Sequence, residues 1–295
     1  MAAAREYTPI AARVQKKQAP TRRNYFDCAV FTLPNPLWGN KMMSEIEFQV
    51  DTRGIGQLIV NRPEVRNALS WSAMRSFADA VERAHDTPEL RVLIITGAGR
   101  SFISGGDIQE LQDYPTRADG LRLATIMGDA LARLEALPCP TIAAINGPAR
   151  GGGAEVAVAC DLRIMSEDAD IGFVHSQLGI ATAWGGGQRL LRAVGYSRAL
   201  DLLTTGRVLT STEALTLRLI NQIVPANEAV KEAIKIAEQI AVNPPHATQA
   251  VKRILRISLS HTEGLAMEAE RAEFPPLWDT EFRREAVRKF LNRGK

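Results

Sequence analysis

The stretch TIAAINGPARGGGAE, from Thr141 to Glu155, carries the strongest structural signal in this 295-residue chain. Its first part is an apolar run typical of a buried strand, and its second part is a triple glycine followed closely by a carboxylate. Glycines let another group approach the backbone, and the first residues of a helix offer N–H groups that have no intrahelical partner. The stretch therefore predicts a strand and then a helix whose start can stabilise negative charge on an oxygen atom. Glycines also serve ordinary turns, so this stretch alone is weak evidence.

A second passage of the same design lies upstream. Residues Arg91–Gly97, RVLIITG, have the pattern of a buried strand, and FISGGDIQEL, from Phe102 to Leu111, again places glycines before a helix. Two such passages can supply the two N–H donors of an oxyanion hole. Strands that alternate with helices in this way predict an α/β fold with right-handed crossover connections.

The composition is that of an ordinary globular protein, with 45% hydrophobic and 23% charged residues. No apolar run approaches the roughly 20 residues that a membrane-spanning helix needs. Three scattered cysteines indicate neither a disulfide framework nor a metal cluster, and the four histidines lack the spacing of metal ligands. We therefore expect no bound metal and a reducing, cytoplasmic location.

The positive net charge of +3 is concentrated at the start of the chain. Residues 1–42 contain seven basic and two acidic side chains, whereas the remainder contains 29 basic and 31 acidic ones. A nearly neutral body argues against a nucleic-acid-binding surface. Residues 1–42 also carry four prolines and no clear periodicity, so we interpret them as a disordered or surface-draped extension. The alternatives are a transit peptide, which the Arg-rich and acid-poor composition allows, and a start codon assigned too far upstream.

Hydrophobic periodicity predicts the following elements. A strand is expected at Gly56–Asn61 and a helix at Ser72–His85, and apolar residues recur at helical spacing from Leu123 to Leu134. Strand signals fade after residue 186, where the pattern favours helices. These later helices are predicted at Ser211–Leu217, Glu228–Val242, Ala247–Leu259 and Glu268–Asn292.

Taken in order, the motifs resemble the crotonase (enoyl-CoA hydratase/isomerase) superfamily. The motifs are NRP at 61–63, NAL at 67–69, Phe102-x-Ser-Gly-Gly-Asp107, the run from Pro140 to Glu155, ACD at 159–161 and GQRL at 187–190. The resemblance extends from about Ile46 to the C-terminus. It implies an α/β fold with a spiral core of repeated ββα units at 43–235. A helical region at 236–295 would follow, through which subunits form trimers or dimers of trimers. The substrate implied is an acyl-CoA thioester.

The resemblance also assigns roles to residues of the two glycine passages. The N–H groups of Gly106 and Gly152 would form the oxyanion hole, and Glu155 would be one of two acid/base glutamates. Apart from the family, a glutamate in the first turn of a helix is also explained by its favourable interaction with the helix dipole.

The sequence departs from the family pattern at the second glutamate, because His175 stands at that position. A hydratase of the family holds water between two carboxylates, and an isomerase shuttles a proton with the second one. Asp168 and Asp170 lie too far upstream to replace it. His175 can act as a base, or it can be a polar residue of the pocket without a proton role.

Decarboxylases that act on methylmalonyl- and ethylmalonyl-CoA also lack the second glutamate. FVH at 173–175, LGI at 178–180 and WGG at 184–186 resemble the ethylmalonyl-CoA decarboxylases in particular. We therefore expect decarboxylation of a short branched malonyl-CoA. The alternatives are an enoyl-CoA hydratase or isomerase, and a catalytically silent CoA-binding module, against which the intact Glu155 and both glycine loops argue.

The resemblance points to further residues that would hold the substrate, and no cofactor is implied beyond the CoA that the substrate carries. Arg66 and Ala68 would lie near the adenine, and Lys289 would reach a phosphate from a neighbouring subunit. Ser104, Asp107 and Ile108 would contribute from the loop of the first passage. Trp184 either narrows the acyl pocket or is an ordinary core tryptophan.

Overall fold

Two β-sheets and eleven α-helices form residues 44–292, the part of the chain that the computed structural model describes. The extension expected at 1–42 lies outside the described residues. The strands are β1 (Ile46–Val50), β2 (Ile55–Val60), β3 (Val92–Gly97), β4 (Thr141–Ile145), β5 (Ala149–Arg150), β6 (Leu162–Ser166), β7 (Asp170–Gly172), β8 (Val208–Thr210) and β9 (Gln222–Val224). The helices are α1 (Trp71–His85), α2 (Ile108–Leu111), α3 (Arg117–Ala136), α4 (Gly152–Ala159), α5 (Gly186–Val194), α6 (Tyr196–Thr205), α7 (Ser211–Thr216), α8 (Ala229–Ala241), α9 (Pro245–Ser258), α10 (Glu263–Trp278) and α11 (Glu281–Asn292).

The larger sheet has six strands in the order β1-β2-β3-β4-β6-β9. Only β1 pairs antiparallel with its neighbour, and the strands from β2 to β9 run parallel. Every residue of β3 and β4 is buried, which is expected of parallel strands covered on both faces. Their largely apolar sequences, with one threonine each, are therefore a direct consequence of their central place in the sheet.

Helices cover both faces of this sheet. On one face, α1, α3 and α4 pack with the sheet into the larger core, in which Phe77, Leu131 and Val156 are fully buried. On the other face, α8 presents alanines 229, 233 and 237 to the sheet, where the small side chains let the helix approach closely. The predicted division of the chain at residue 235 thus falls inside α8.

The smaller sheet brings the two glycine passages together. It has the order β5-β7-β8, and β5 lies directly before α4. Ile103, in the first passage, forms a bridge with Ala149, and its carbonyl accepts a hydrogen bond of 3.1 Å from the Arg150 N–H. A Cβ on Gly153 would lie 1.8 Å from the Ile103 carbonyl oxygen, so only glycine allows this approach.

The C-terminal helices differ in how they attach to the core. The ammonium group of Lys252, on α9, is buried and lies 2.7 Å from Asp161 and 2.9 Å from the Cys139 carbonyl. In contrast, α10 and α11 bury no residue. Their exposed large apolar residues are Leu265, Met267, Phe274, Trp278, Phe282, Val287, Phe290 and Leu291. No helix of the described residues is long and apolar enough to cross a membrane.

Most of the elements predicted from periodicity are confirmed. The strand at 56–61, the helix at 72–85 and the apolar stripe at 123–134 are confirmed as β2, α1 and α3, and three of the later helices as α7, α8 and α9, with small shifts at their ends.

The single helix predicted at Glu268–Asn292 is wrong, because α10 ends at Trp278 and α11 begins at Glu281. The Thr280 hydroxyl accepts a hydrogen bond from the Arg283 N–H, as an N-cap does, and so starts a new helix. Helices α5 and α6 and the three-residue strands β8 and β9 were not predicted.

Candidate active site

Two glycines with left-handed backbone angles shape the centre of the site. Gly151, which precedes α4, has φ 51° and ψ −120°, and Gly105 has φ +96°. Residues with a side chain rarely adopt these backbone angles, so both turns require glycine. A Cβ on Gly105 would lie only 3.2 Å from the backbone nitrogen of Gly152, so the two glycine passages meet at this point.

The N–H groups of Gly106 and Gly152 are available as donors. Leu69 binds both backbone groups that flank Gly106, by accepting from the Asp107 N–H and donating to the Gly105 carbonyl. Neither the Gly106 nor the Gly152 N–H donates to an acceptor in the part of the chain that the structure describes. Gly152 is also the first residue of α4, where the helix dipole favours negative charge. The two N–H donors and the start of α4 are together suited to stabilising the negative charge of an oxyanion.

Apolar side chains lie against both donors. A Cβ on Gly152 would be 2.0 Å from the ring of Trp184, which is only 3% exposed. A Cβ on Gly106 would be 2.6 Å from Leu111 and 3.6 Å from Met74. Trp184 is therefore a core residue that also forms a wall beside the Gly152 N–H.

The carboxylate of Glu155 is buried in the first turn of α4, with 1% of the residue exposed. Its Oε2 accepts hydrogen bonds of 2.9 Å and 2.8 Å from the N–H groups of Trp184 and Gly186. Its Oε1 lies 3.0 Å from Nε2 of His175. A Cβ on Gly186 would be 2.4 Å from Cγ of Glu155, so the glycine run at 185–187 admits this side chain.

His175 lies in a short 3₁₀ turn, Val174–Leu178, and is 8% exposed. Its second ring nitrogen, Nδ1, is buried and has no hydrogen-bond partner among residues 44–292. The acidic residues just upstream are engaged or distant: Asp170 forms a two-point ion pair with Arg150, at 2.5 and 2.6 Å, and Asp168 is exposed. The group that faces Glu155 is thus an imidazole.

The residues expected to hold CoA fall into two groups. Arg66 and Ala68 lie on the segment that pairs with the first glycine loop, next to Ser104, Asp107 and Ile108. Arg66 and Ile108 are exposed at this edge, whereas Ala68 is buried.

Contacts of Asp107 and Ser104 support this loop. Arg62 donates a hydrogen bond of 3.2 Å to Asp107 and a shorter one to the Ala68 carbonyl, and the Ser104 hydroxyl lies 3.5 Å from the Val65 carbonyl. Lys289 is not brought to the other residues, since it is exposed on α11, a helix that buries no residue.

Sequence reasoning missed several residues that build the site. Gly186 binds Glu155, Met74 and Leu111 flank Gly106, and Arg189 donates a hydrogen bond of 2.6 Å to the Trp184 carbonyl. Arg189 is itself paired with Glu135 at 3.0 Å. The triple glycine at 185–187 was the available signal, because a second run of this kind indicates another close approach to the backbone.

Known proteins resemble this chain in sequence and in fold. The family model for enoyl-CoA hydratase/isomerase matches residues 51–295. The ethylmalonyl-CoA decarboxylase of Bos taurus is 34% identical over 245 residues, covering 82% of this chain and 80% of the relative. The short-chain-enoyl-CoA hydratase of Clostridium acetobutylicum is 33% identical over 242 residues, covering 82% and 92%.

Among solved structures, the enoyl-CoA hydratase of Bacillus anthracis superposes with a TM-score of 0.81 at 31% identity, over 85% of this chain and 97% of that one. The α/β crotonase fold expected from the motifs is thereby confirmed. The chain belongs to the enoyl-CoA hydratase/isomerase family of the crotonase superfamily and is an acyl-CoA-processing enzyme of that type.

Proposed function

We propose that this enzyme decarboxylates a short branched malonyl-CoA, ethylmalonyl-CoA or methylmalonyl-CoA. The observation that carries the proposal is the pair formed by Glu155 and His175, at 3.0 Å. Hydration in this family holds a water molecule between two carboxylates, whereas here an imidazole occupies the second place. Decarboxylation requires no activated water, so this pair is compatible with it.

The reaction divides into two steps. In the first, the bond between the α-carbon and the carboxylate breaks, its electron pair moves into the thioester, and CO₂ leaves. The N–H groups of Gly106 and Gly152 stabilise the resulting enolate oxygen, and the loss of one such donor typically costs about 10²–10³ in rate. In the second step the α-carbon takes up one proton, which gives butyryl- or propionyl-CoA.

Glu155 carries a negative charge close to a substrate that is itself a carboxylate. Two backbone N–H groups and the His175 ring surround its oxygens, and such hydrogen bonds compensate the charge of a buried carboxylate. The imidazole can therefore meet the leaving carboxylate as a hydrogen-bond donor while Glu155 stays in place.

The CoA portion of the substrate would lie along the edge formed by Arg66, Ala68 and the loop Ser104–Ile108. Lys289 would reach it from a second copy of the chain, in a cytoplasmic trimer or hexamer. A charge-assisted phosphate contact is worth about 1.5–3 kcal/mol at most, so affinity does not depend on any single one. Trp184, beside Gly152, would limit the acyl group to a short one. No cofactor is needed beyond CoA itself.

The alternative is an enoyl-CoA hydratase or isomerase, in which His175 serves as the second acid/base group. Relatives named as hydratases support it, because one of them is 33% identical to this chain, close to the 34% of the relative named as a decarboxylase.

Mass-spectrometric product analysis distinguishes these functions. Purified protein is offered ethylmalonyl-CoA, methylmalonyl-CoA and crotonyl-CoA in parallel. We expect butyryl- or propionyl-CoA from the malonyl esters and no water added to crotonyl-CoA. The opposite pattern contradicts the proposal and supports the hydratase. Thermal stabilisation by all three esters without turnover would instead identify a silent CoA-binding module.

A further inference from the structure

We infer that Glu155 is a positioning residue, which fixes His175 in the tautomer with hydrogen on Nε2, and that Nδ1 of His175 is the atom that exchanges a proton with the substrate. The assignment of the tautomer stands on the geometry of the protein alone. Its use in catalysis rests on the proposed function.

Glu155 already accepts most of the hydrogen bonds that a carboxylate can accept. An ionised carboxylate has about four lone-pair positions for accepting hydrogen bonds. Three are engaged, by the N–H groups of Trp184 and Gly186 on Oε2 and by His175 on Oε1. The residue is also 1% exposed, and the backbone at Gly186 closes in on its Cγ. Glu155 is therefore held in one orientation, as suits a group that orients another.

The direction of the hydrogen bond between Glu155 and His175 determines which ring nitrogen carries the hydrogen. An ionised carboxylate can accept hydrogen bonds but cannot donate them. The Nε2 atom of His175 must therefore carry the hydrogen in its 3.0 Å contact with Glu155. The Nδ1 atom then accepts when the ring is neutral and donates when the ring is charged. It is the ring nitrogen left without a partner in the described part of the chain, although it is buried. A buried polar atom of this kind needs a partner, and a bound substrate would supply one.

The ring of His175 can also supply the proton that the proposed reaction consumes. In the charged ring, the Nδ1–H donates a hydrogen bond to the carboxylate of the malonyl group. After CO₂ leaves, this proton moves from Nδ1 to the α-carbon of the enolate, and the ring becomes neutral. The Nε2–H remains on Glu155 throughout, and a proton from solvent then restores the Nδ1–H.

The tautomer is measured directly by ¹⁵N NMR of the histidine rings in the full-length protein without ligand, and the His175→Gln variant identifies the signal. We expect Nε2 to be protonated and Nδ1 to be bare in the neutral ring. In Glu155→Gln, which has the same shape but no charge, the two tautomers should mix. A neutral ring with its hydrogen on Nδ1, or a mixture equal to that of Glu155→Gln, would overturn the inference. This readout requires no turnover, so it is independent of whether malonyl esters are decarboxylated.

A double-mutant cycle on the turnover rate tests the positioning role. His175→Gln should lower kcat by about 10²–10⁴, the usual contribution of a positioned acid/base group. Because Glu155 acts through His175, adding Glu155→Gln to that variant should lower kcat by no more than about twofold further. Fully additive losses would identify Glu155 as an independent acid/base group and contradict the inference. If Glu155→Gln does not fold, Glu155→Asp, which keeps the charge but withdraws it from His175, takes its place in both experiments.

Discussion

At the scale of single residues, the glycines of the site are explained by what lies against them. Gly152→Ala would place a Cβ 2.0 Å from the Trp184 ring, so the loop or the ring must move. We expect activity to fall by about 10² or more, because the N–H donor moves with the loop.

Gly120→Ala, on the surface of α3, is the matched control because no atom lies within 4 Å of its new Cβ. It should keep full activity and gain about 0.5–1 kcal/mol in the free energy of unfolding. Both variants are measured by steady-state kinetics and by thermal melts. Full activity in Gly152→Ala would contradict this description of the donor loop.

Burial controls the reactivity of the two cysteines that the structure describes. Burial raises the pKa of the Cys139 thiol to about 11 and that of Cys160 to about 12, because it disfavours the charged thiolate. At pH 8 only about 10⁻³ of Cys139 and 10⁻⁴ of Cys160 is then thiolate, the reactive form. We expect both to remain unmodified by iodoacetamide in the native protein and to react in denaturant, as peptide mapping will show. Rapid native alkylation of either would contradict this burial.

Sequence reasoning found the residues of the site more readily than the contacts between them. The motif spacing indicates Gly106, Gly152, Glu155 and His175. In the structure Glu155 and His175 lie 3.0 Å apart, and the loop that carries Gly106 meets Gly152 through Gly105. The spacing did not reveal that the N–H groups of Trp184 and Gly186 bind Glu155, because those residues lie 29 and 31 positions away. Such contacts arise from tertiary packing, which no local pattern records.

At the scale of elements, an ion pair between the buried Lys252 and the partly exposed Asp161 ties α9 to the core. One oxygen of Asp161 accepts from the Lys252 ammonium at 2.7 Å and from the Thr141 N–H and hydroxyl at 2.7 and 2.9 Å. Asp161→Asn would leave the buried ammonium without its counter-charge, and because Asp161 is partly exposed we expect a smaller loss in the free energy of unfolding than the roughly 3–5 kcal/mol of a fully buried pair. We expect faster hydrogen exchange in α9 together with that loss.

Two further variants make this prediction specific. Asp161→Asn combined with Lys252→Met should lose less stability than the two single changes added together, because both belong to one interaction. Lys235→Met removes an exposed ion pair with Glu232 and should leave the melting temperature unchanged. If Asp161→Asn behaves like Lys235→Met, the ion pair does not hold α9.

Strands and helices can be predicted from the sequence where burial imposes a continuous pattern of apolar residues. The strands β3 and β4 are apolar apart from one threonine each because both faces are covered, so their sequences identify them. The strands β8 and β9 have only three residues each, too few for an alternating pattern. The break between α10 and α11 follows Pro275 and Pro276 in the last turn of α10, and Thr280 then caps the start of α11.

At the scale of the whole molecule, the C-terminal arm formed by α10 and α11 predicts self-association. These helices bury no residue, yet they carry large apolar side chains such as Phe274, Trp278 and Phe290. Exposed apolar patches of this kind mark interaction surfaces. We expect a trimer or a hexamer by light scattering, and a smaller species after removal of residues 263–295. A full-length protein that is monomeric at micromolar concentration would contradict this expectation.

The reaction proposed for this site releases CO₂ to form a thioester enolate and then protonates the enolate. The most direct measurement is the reaction of ethylmalonyl-CoA in D₂O, with the CoA esters analysed by mass spectrometry and crotonyl-CoA as a parallel substrate. We predict butyryl-CoA that has gained one deuterium at the α-carbon, and unchanged crotonyl-CoA. Unchanged ethylmalonyl-CoA, together with the addition of water to crotonyl-CoA, would contradict the account and identify the enzyme as a hydratase.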